Sequence, residues 1–323
     1  MRLANGDYAL LFRDGGVEVR RDGKLLYYNR RPMFVTVKTA FAVNEFYDKP
    51  YDDVAADDGR MVASGVLTVP SGSAFSFTDI YESAGAGFKV SRIVKVLKAA
   101  DDLGFSTKIS FVAAESDNPR DYYCFAPGVW YKQNEFAPDT AIGKDLDCEY
   151  FWRMETCYAL PVFALQHIAS GETVALSRWA ADVTMPSTDI LRAENHTDPK
   201  CTTGAIGMSK PESRTLNYMY YGFPVRKPIG TKVDGLSIDY VYPGCDGELP
   251  ARNRFLGLDY RGKTKSFRRI NHPVAAGFEQ RYAVGVQFGR YDSFQRMMRD
   301  NWRIVYSRLR DSLFEVDNER HFH

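Results

Sequence analysis

Hydrophobic and polar residues alternate along most of the chain with the period of two that a half-buried β-strand imposes. Short runs open it: Tyr8 to Arg13, Val17 to Arg20 and Lys24 to Asn29, separated by Asp14-Gly15-Gly16 and Asp22-Gly23. Asp-Gly between β-formers predicts hairpins, because such turns need backbone at positive φ. Met33 to Val43 reads as a longer strand and Tyr47 to Arg60 as a polar, acidic loop. Strands are next predicted at Val66 to Val69, Ala74 to Ile80, Phe88 to Leu97 and Leu103 to Val112. In the last of these, Phe105, Thr107, Ile109 and Phe111 share one face while Ser106, Lys108 and Ser110 share the other. That is the pattern of a strand with one wet face. Val90, Val94 and Val96 line up similarly, interrupted by Arg92, and a helix over 88–98 is the competing reading.

The alternation breaks from Glu115 to Asp147, a stretch containing Asn118-Pro119, Ala126-Pro127-Gly128 and Ala137-Pro138-Asp139. Long irregular loops inside compact domains are uncommon, and those that occur are often functional. Strands resume at Glu155 to Ile168, Thr173 to Arg178, Arg214 to Phe223, Leu236 to Tyr242, Lys263 to Ile270 and Glu279 to Gly289. At Tyr291 the period changes. Phe294, Met298, Trp302, Val305, Leu309 and Leu313 recur at steps of three and four, with Met297 and Tyr306 beside them and Arg296, Arg299, Arg303 and Arg310 largely outside the stripe. This predicts one amphipathic helix over 292–314, capped by Asp292 with Gln295.

A dozen or more strands closed by one helix imply an all-β fold, a large β-sandwich over residues 1–290 followed by a helical connector and polar tail over 291–323. The 20 Tyr and 21 Phe suit such sheets, since flat rings pack well on a pleated surface. A net charge of +1, with 42 basic and 41 acidic residues, lacks the basic footprint of a nucleic-acid binder. The five cysteines, at 124, 148, 157, 201 and 245, are odd in number and without CxxC spacing, which argues for free thiols and against a zinc site. The start of the chain lacks the apolar core of a signal peptide, and no stretch approaches the ~18 apolar residues of a membrane span. Cytoplasm is the expected compartment.

The familiar catalytic motifs are absent: GxGxxG, the P-loop, GxSxG, HExxH and the EF-hand loop. No metal or organic cofactor is expected. The most suggestive stretch is Trp130-Tyr131-Lys132-Gln133-Asn134-Glu135. Two rings followed by amides and a carboxylate offer a sugar both an apolar face and hydroxyl partners. The same rings would equally serve to anchor a loop in the core. Asp145, Asp147 and Glu149 precede Phe151-Trp152-Arg153-Met154-Glu155, and paired carboxylates are what glycoside hydrolysis needs. Arg153 and Glu155 are therefore candidate ligand-binding residues, and Trp179, at a strand end, is a further ring.

The strand succession, the aromatic stretch Trp130 to Glu135 and the closing helix from Asp292 resemble the N-terminal β-supersandwich domain, of galactose-mutarotase-like fold, that precedes the (α/α)6 barrel of several bacterial glycoside hydrolases and phosphorylases. The resemblance implies an accessory domain that binds an oligo- or polysaccharide, with catalytic groups in a helical domain absent from this chain. It also implies that the 292–314 helix leads toward that partner, and a homo-oligomer through the same helix is an alternative. Free-standing aldose 1-epimerases share the fold and are the enzymatic alternative. Their two histidines and glutamate would fall on His196, in Asn195-His196-Thr197, on His272 before Pro273, and on Glu279. A structural or interaction protein is the third reading.

Overall fold

A computed structural model describes residues 1–40, 43–132, 148–184, 197–209, 219–220, 223–224, 235–250 and 268–310. The first strands are β1 (Arg2–Asn5), β2 (Tyr8–Arg13), β3 (Gly16–Arg21), β4 (Lys24–Asn29), β5 (Met33–Ala40) and β6 (Val43–Lys49). Then come β7 (Asp53–Asp57), β8 (Arg60–Thr68), β9 (Ala74–Ala84), β10 (Gly87–Lys98) and β11 (Gly104–Ala113). The middle of the chain supplies β12 (Tyr122–Ala126), β13 (Trp130–Lys132), β14 (Cys148–Met154), β15 (Val162–His167), β16 (Glu172–Thr184) and β17 (Ala205–Ser209). The last are β18 (Met219–Tyr220), β19 (Phe223–Pro224), β20 (Ser237–Tyr242), β21 (Cys245–Pro250), β22 (Arg268–Arg269) and β23 (Glu279–Arg290), followed by helix α1 (Phe294–Leu309).

Two large antiparallel sheets form a sandwich. One has nine strands in the order β13-β12-β15-β16-β23-β10-β9-β8-β7. The other has twelve, in the order β1-β2-β3-β4-β11-β20-β17-β14-β21-β22, with β5 and β6 as a branch. The branch arises because β11 is longer than either neighbour on that side. Its Val112 and Ala113 pair with β4, while Gly104 to Thr107 pair with β5. The Asp-Gly turns are as expected: Asp14 and Gly15, and Asp22 and Gly23, all have positive φ. A third such turn, Asp58-Gly59, joins β7 to β8. The segment expected to be an acidic loop over 47–60 is therefore mostly strand, with Asp53 and Asp57 on the outermost β7, where an exposed sheet edge tolerates them.

Residues 88–98 form strand β10, and its core side explains the interruption at Arg92. Val90, Val94 and Val96 are fully buried in the core between the sheets, and Arg92 is buried beside them at 1% exposure. Its guanidinium grips Asp79 of β9 through Nε (2.7 Å) and Nη2 (2.5 Å). It also donates to the carbonyls of Lys108 (2.6 Å) and Pro32 (2.8 Å), which ties the nine-stranded sheet to the twelve-stranded one.

Helix α1 lies on the outer face of the nine-stranded sheet, where Phe294, Met297 and Val305 meet Phe125, Leu160, Val162, Ala164 and Ala175. Ser293 is its cap, accepting from the Arg296 amide at 3.3 Å, in place of the expected Asp292. The buried stripe is Phe294, Met297, Asn301 and Val305. It is rotated from the expected one, because Asn301 enters the seam by turning its amide onto the Met297 carbonyl (2.9 Å). Trp302 and Tyr306 consequently face outward, 37% and 44% exposed. Residues 311–314 lie outside the described part. No described helix is long and apolar enough to cross a membrane. Cys124, Cys157 and Cys201 are free thiols, and the side chains of Cys148 and Cys245 lie outside the description.

Candidate functional site

Trp130 and Tyr131, expected in a loop, stand on β13, which pairs with β12 around the turn at Pro127-Gly128. Alternation sends them to opposite faces. Trp130 points into the core between the sheets at 0% exposure, its Nε1 donating to the Lys132 carbonyl at 3.0 Å. No face of that ring is open to a ligand, so the stacking role assigned to it is corrected to that of an anchor. Tyr131 points outward, half-buried, against Phe125 at 5.9 Å between centroids, and its hydroxyl accepts from the Gly128 amide at 2.9 Å.

Outward of Tyr131 runs a groove of about 770 Å³ between β13 and the first turns of α1. Tyr131, Phe125, Met298 and Trp302 give it an apolar and aromatic floor, and Asp292, Gln295, Arg296 and Arg299 give it a polar rim. Trp302 reaches it because the helix is rotated by Asn301. The helical period in the sequence marked Trp302 as apolar, yet it could not say which side of the seam the ring would take.

The other expected residues do not gather here. Glu155 is 4% exposed and holds a local frame: its Oε1 accepts from Arg178 (2.8 Å) and from the Gly204 amide (2.9 Å), and its Oε2 from the Tyr240 hydroxyl (3.1 Å). Burial raises its carboxyl above the usual range, against the pull of Arg178. The cation paired with Glu155 is Arg178, while Arg153 stands half-buried on β14. Trp179 is flanked by two cations, the Lys89 ammonium at 5.7 Å and the Arg308 guanidinium at 4.6 Å, which makes it a clasp for the end of α1. Asn134, Glu135, Asp145, Asp147 and His196, and the side chain of Glu149, lie outside the described residues.

Of the epimerase-like set, His272 and Glu279 lie within the described residues. His272 is 0% exposed, packed edge-on against Phe105 and Tyr242. Its Nε2 meets the Cys201 carbonyl and its Nδ1 the Gln280 amide, both at 2.8 Å. Gln280 Nε2 is a donor, so Nδ1 accepts and Nε2 carries the proton. Glu279 is spent on Arg281. Burial pushes the His272 imidazole down to about 4. Its unfolded pKa is about 6.5, so the unfolded chain binds the extra proton first. This contribution to stability is fully present above pH 6.5 and is lost as pH falls toward 4, by about 3 kcal/mol. Urea unfolding of wild type and His272→Gln at pH 7 and pH 4 should show the variant losing less by that amount. Equal losses in the two proteins would contradict it.

A second cluster sits on the outer face of the twelve-stranded sheet, the face expected to be wet. Ser106, Lys108 and Ser110 are all buried there, with Lys38 and Trp152. Its centre is Asp239 of β20, which accepts from Ser110, from Ser209 (2.6 Å), from Ser237 (3.0 Å) and from Trp152 Nε1 (3.0 Å), with the Lys108 ammonium at 3.4 Å. Lys108 also lies over Phe34 at 4.6 Å. Burial lowers the Lys38 ammonium. In sequence Ser237 and Asp239 alternate with Ile238 and Tyr240, so they read as a solvent face. With its acceptor sites so filled, Asp239 organises neighbours and has little capacity for a ligand. Among the described residues, no three His, Cys, Asp or Glu side chains converge to hold a metal ion.

No protein-family model and no curated protein matches the chain. Solved structures do. The chain is similar to the α-N-acetylgalactosaminidase NagBb from Bifidobacterium bifidum, at a TM-score of 0.45 and 10% identity over 95% of this chain. It spans 39% of that enzyme's length. It is similar to a galactose mutarotase-like protein from Lactobacillus casei, at 0.42 and 12% identity over 90% of this chain and 99% of that one. A galactose mutarotase related enzyme from Lactobacillus acidophilus follows, at 0.41 and 9% identity over 91% and 98%.

Proposed function

We propose that this chain is a saccharide-binding β-sandwich domain, the accessory part of a carbohydrate-active enzyme whose catalytic groups lie in another domain. The observation that carries this reading is the groove between β13 and α1. A half-buried Tyr131 and an exposed Trp302 line it together, with two arginines, a glutamine and an aspartate at the rim. A pyranose offers an apolar face to a ring, and its vicinal hydroxyls match the forked donors of a guanidinium. Of the residues expected from sequence, Tyr131 is retained in the site, Trp130 becomes its support, and Trp302 is added.

The test is a glycan array followed by titration calorimetry of the best ligand. Tyr131→Ala and Trp302→Ala should each weaken binding roughly ten-fold, about 1–1.5 kcal/mol for a lost stacking contact. Melting temperature should move little for Trp302→Ala, since its ring is partly solvated. If wild type binds no glycan while Trp302→Ala turns a dimer into a monomer, the groove is a subunit interface and this reading fails.

A further inference from the structure

The groove does not end at Ser293. Around the N-terminal end of α1 it adjoins a second pocket of about 660 Å³, and the two share Asp292, Ser293, Gln295 and Arg296. The character changes there from aromatic to polar and cationic. Lys132, Arg290 and Arg296 all line the second pocket. The Lys132 ammonium faces the Tyr123 ring at 5.6 Å, Arg290 Nε donates to the Ser170 carbonyl at 3.1 Å, and neither forms an ion pair among the described residues. The acid on the lining, Asp292, is 76% exposed and stands 3.9 Å from Arg296.

Two further features point to a ligand. The first amides of α1 face this end, and beyond the one that Ser293 caps, a helix start leaves backbone donors without intrahelical partners and a partial positive charge. The second feature is independent of the helix. Gln166 of β15 lines the pocket at 4% exposure, with its Nε2 committed to the Tyr291 carbonyl (3.1 Å) and its Oε1 without any hydrogen-bond partner. A buried acceptor without a partner calls for an explanation, and a hydroxyl seated in this pocket would supply the missing donor. The lining therefore asks for one molecule that has both negative charge and hydroxyl groups.

We propose that this pocket takes the anionic substituent of the saccharide, a carboxylate or a sulfate ester, so that the ligand of the adjoining groove is an acidic sugar. The proposal rests on the saccharide reading of that groove. Lys132, Arg290 and the α1 amides meet the anion, while Gln166 accepts from a neighbouring hydroxyl. The sugar ring beside it extends past Ser293 onto Tyr131 and Trp302.

The test compares acidic glycans with their own uncharged forms: tetragalacturonate with its methyl ester, and a sulfated oligosaccharide with its desulfated counterpart. At low salt the matching acid should bind about ten-fold tighter than its neutral form, the scale of charge-assisted contacts to one anionic group. Added salt should erode that advantage, since the contacts are partly exposed. Lys132→Gln and Arg290→Gln should each reduce the difference while leaving the neutral form's affinity and the melting temperature unchanged. A carboxylate preference and a sulfate preference identify the anion. Equal binding of charged and neutral forms, or array hits confined to neutral glycans, would overturn the proposal and leave the groove reading intact. Absence of binding to any glycan would overturn both.

Discussion

Asp79→Ala is expected to lower the unfolding free energy by about 3–5 kcal/mol, the effect of leaving a buried charge without its partner. The Arg92 guanidinium is 1% exposed, and two of its nitrogens lie on Asp79. Tyr51 also donates to Asp79 and shares a hydroxyl contact of 2.8 Å with Tyr81. Removing the carboxylate therefore leaves a buried cation without its counter-charge, with only the Lys108 and Pro32 carbonyls to donate to, and leaves the Tyr51 phenol with Tyr81 alone, in a core where water cannot replace the lost oxygens. Chemical denaturation followed by far-ultraviolet circular dichroism gives the number. A double variant, Asp79→Leu with Arg92→Met, should recover much of the loss, because an apolar pair of similar volume leaves no charge to desolvate. A single-variant loss below about 1 kcal/mol would mean that the pair is solvated and the description of the core is wrong.

Trp130→Ala should be comparably damaging, by about 3–5 kcal/mol, as expected for deleting a large buried ring. The loss would fall on the β12–β13 hairpin, which Trp130 pins to the core while Tyr131 looks outward. Saccharide affinity measured well below the lowered melting temperature should be close to that of wild type. A large loss of affinity with unchanged stability would reverse the assignment and make Trp130 the stacking ring.

How far the sequence could be read depended on what each pattern encodes. Period two located β2, β3, β4, β10, β11 and β23 to within a residue at each end, and the start of β9, which runs on past Ile80 to Ala84, because alternation and Asp-Gly turns are local features. It also separated the faces of β11 correctly. It could not tell that Ser106, Lys108 and Ser110 would be buried, since a polar face reads the same whether it meets water or a carboxylate such as Asp239 on the neighbouring strand. Arg92 looked like a flaw in a strand for the same reason, its partner Asp79 being on another strand of the sheet. The acidic 47–60 segment was hidden because edge strands carry charges that resemble a loop, although Asp58-Gly59 was the available clue.

The site shows the same division. Trp130-Tyr131 was visible as an aromatic pair, and the alternation that splits it was legible once a strand is granted. The expected loop concealed it. The contribution of Trp302 depends on Asn301 occupying the helix seam, and a polar residue in an apolar stripe is a tertiary decision. Glu155 and Trp179 were singled out for their residue types, yet their partners, Arg178 and Arg308, are distant or unpredictable from spacing.

The most direct measurement for the groove is the solvent accessibility of Trp302. Trp130 and Trp152 are buried and Trp179 is half-buried between two cations, so acrylamide quenching of tryptophan fluorescence reports on Trp302 and, to a lesser degree, on Trp179. Titration with the oligosaccharide selected on the array should protect the Trp302 fluorescence saturably, and Trp302→Phe should remove the most quenchable component and the protection together. Binding of the same sugar with quenching unchanged would place the ligand elsewhere on the sandwich and contradict the account.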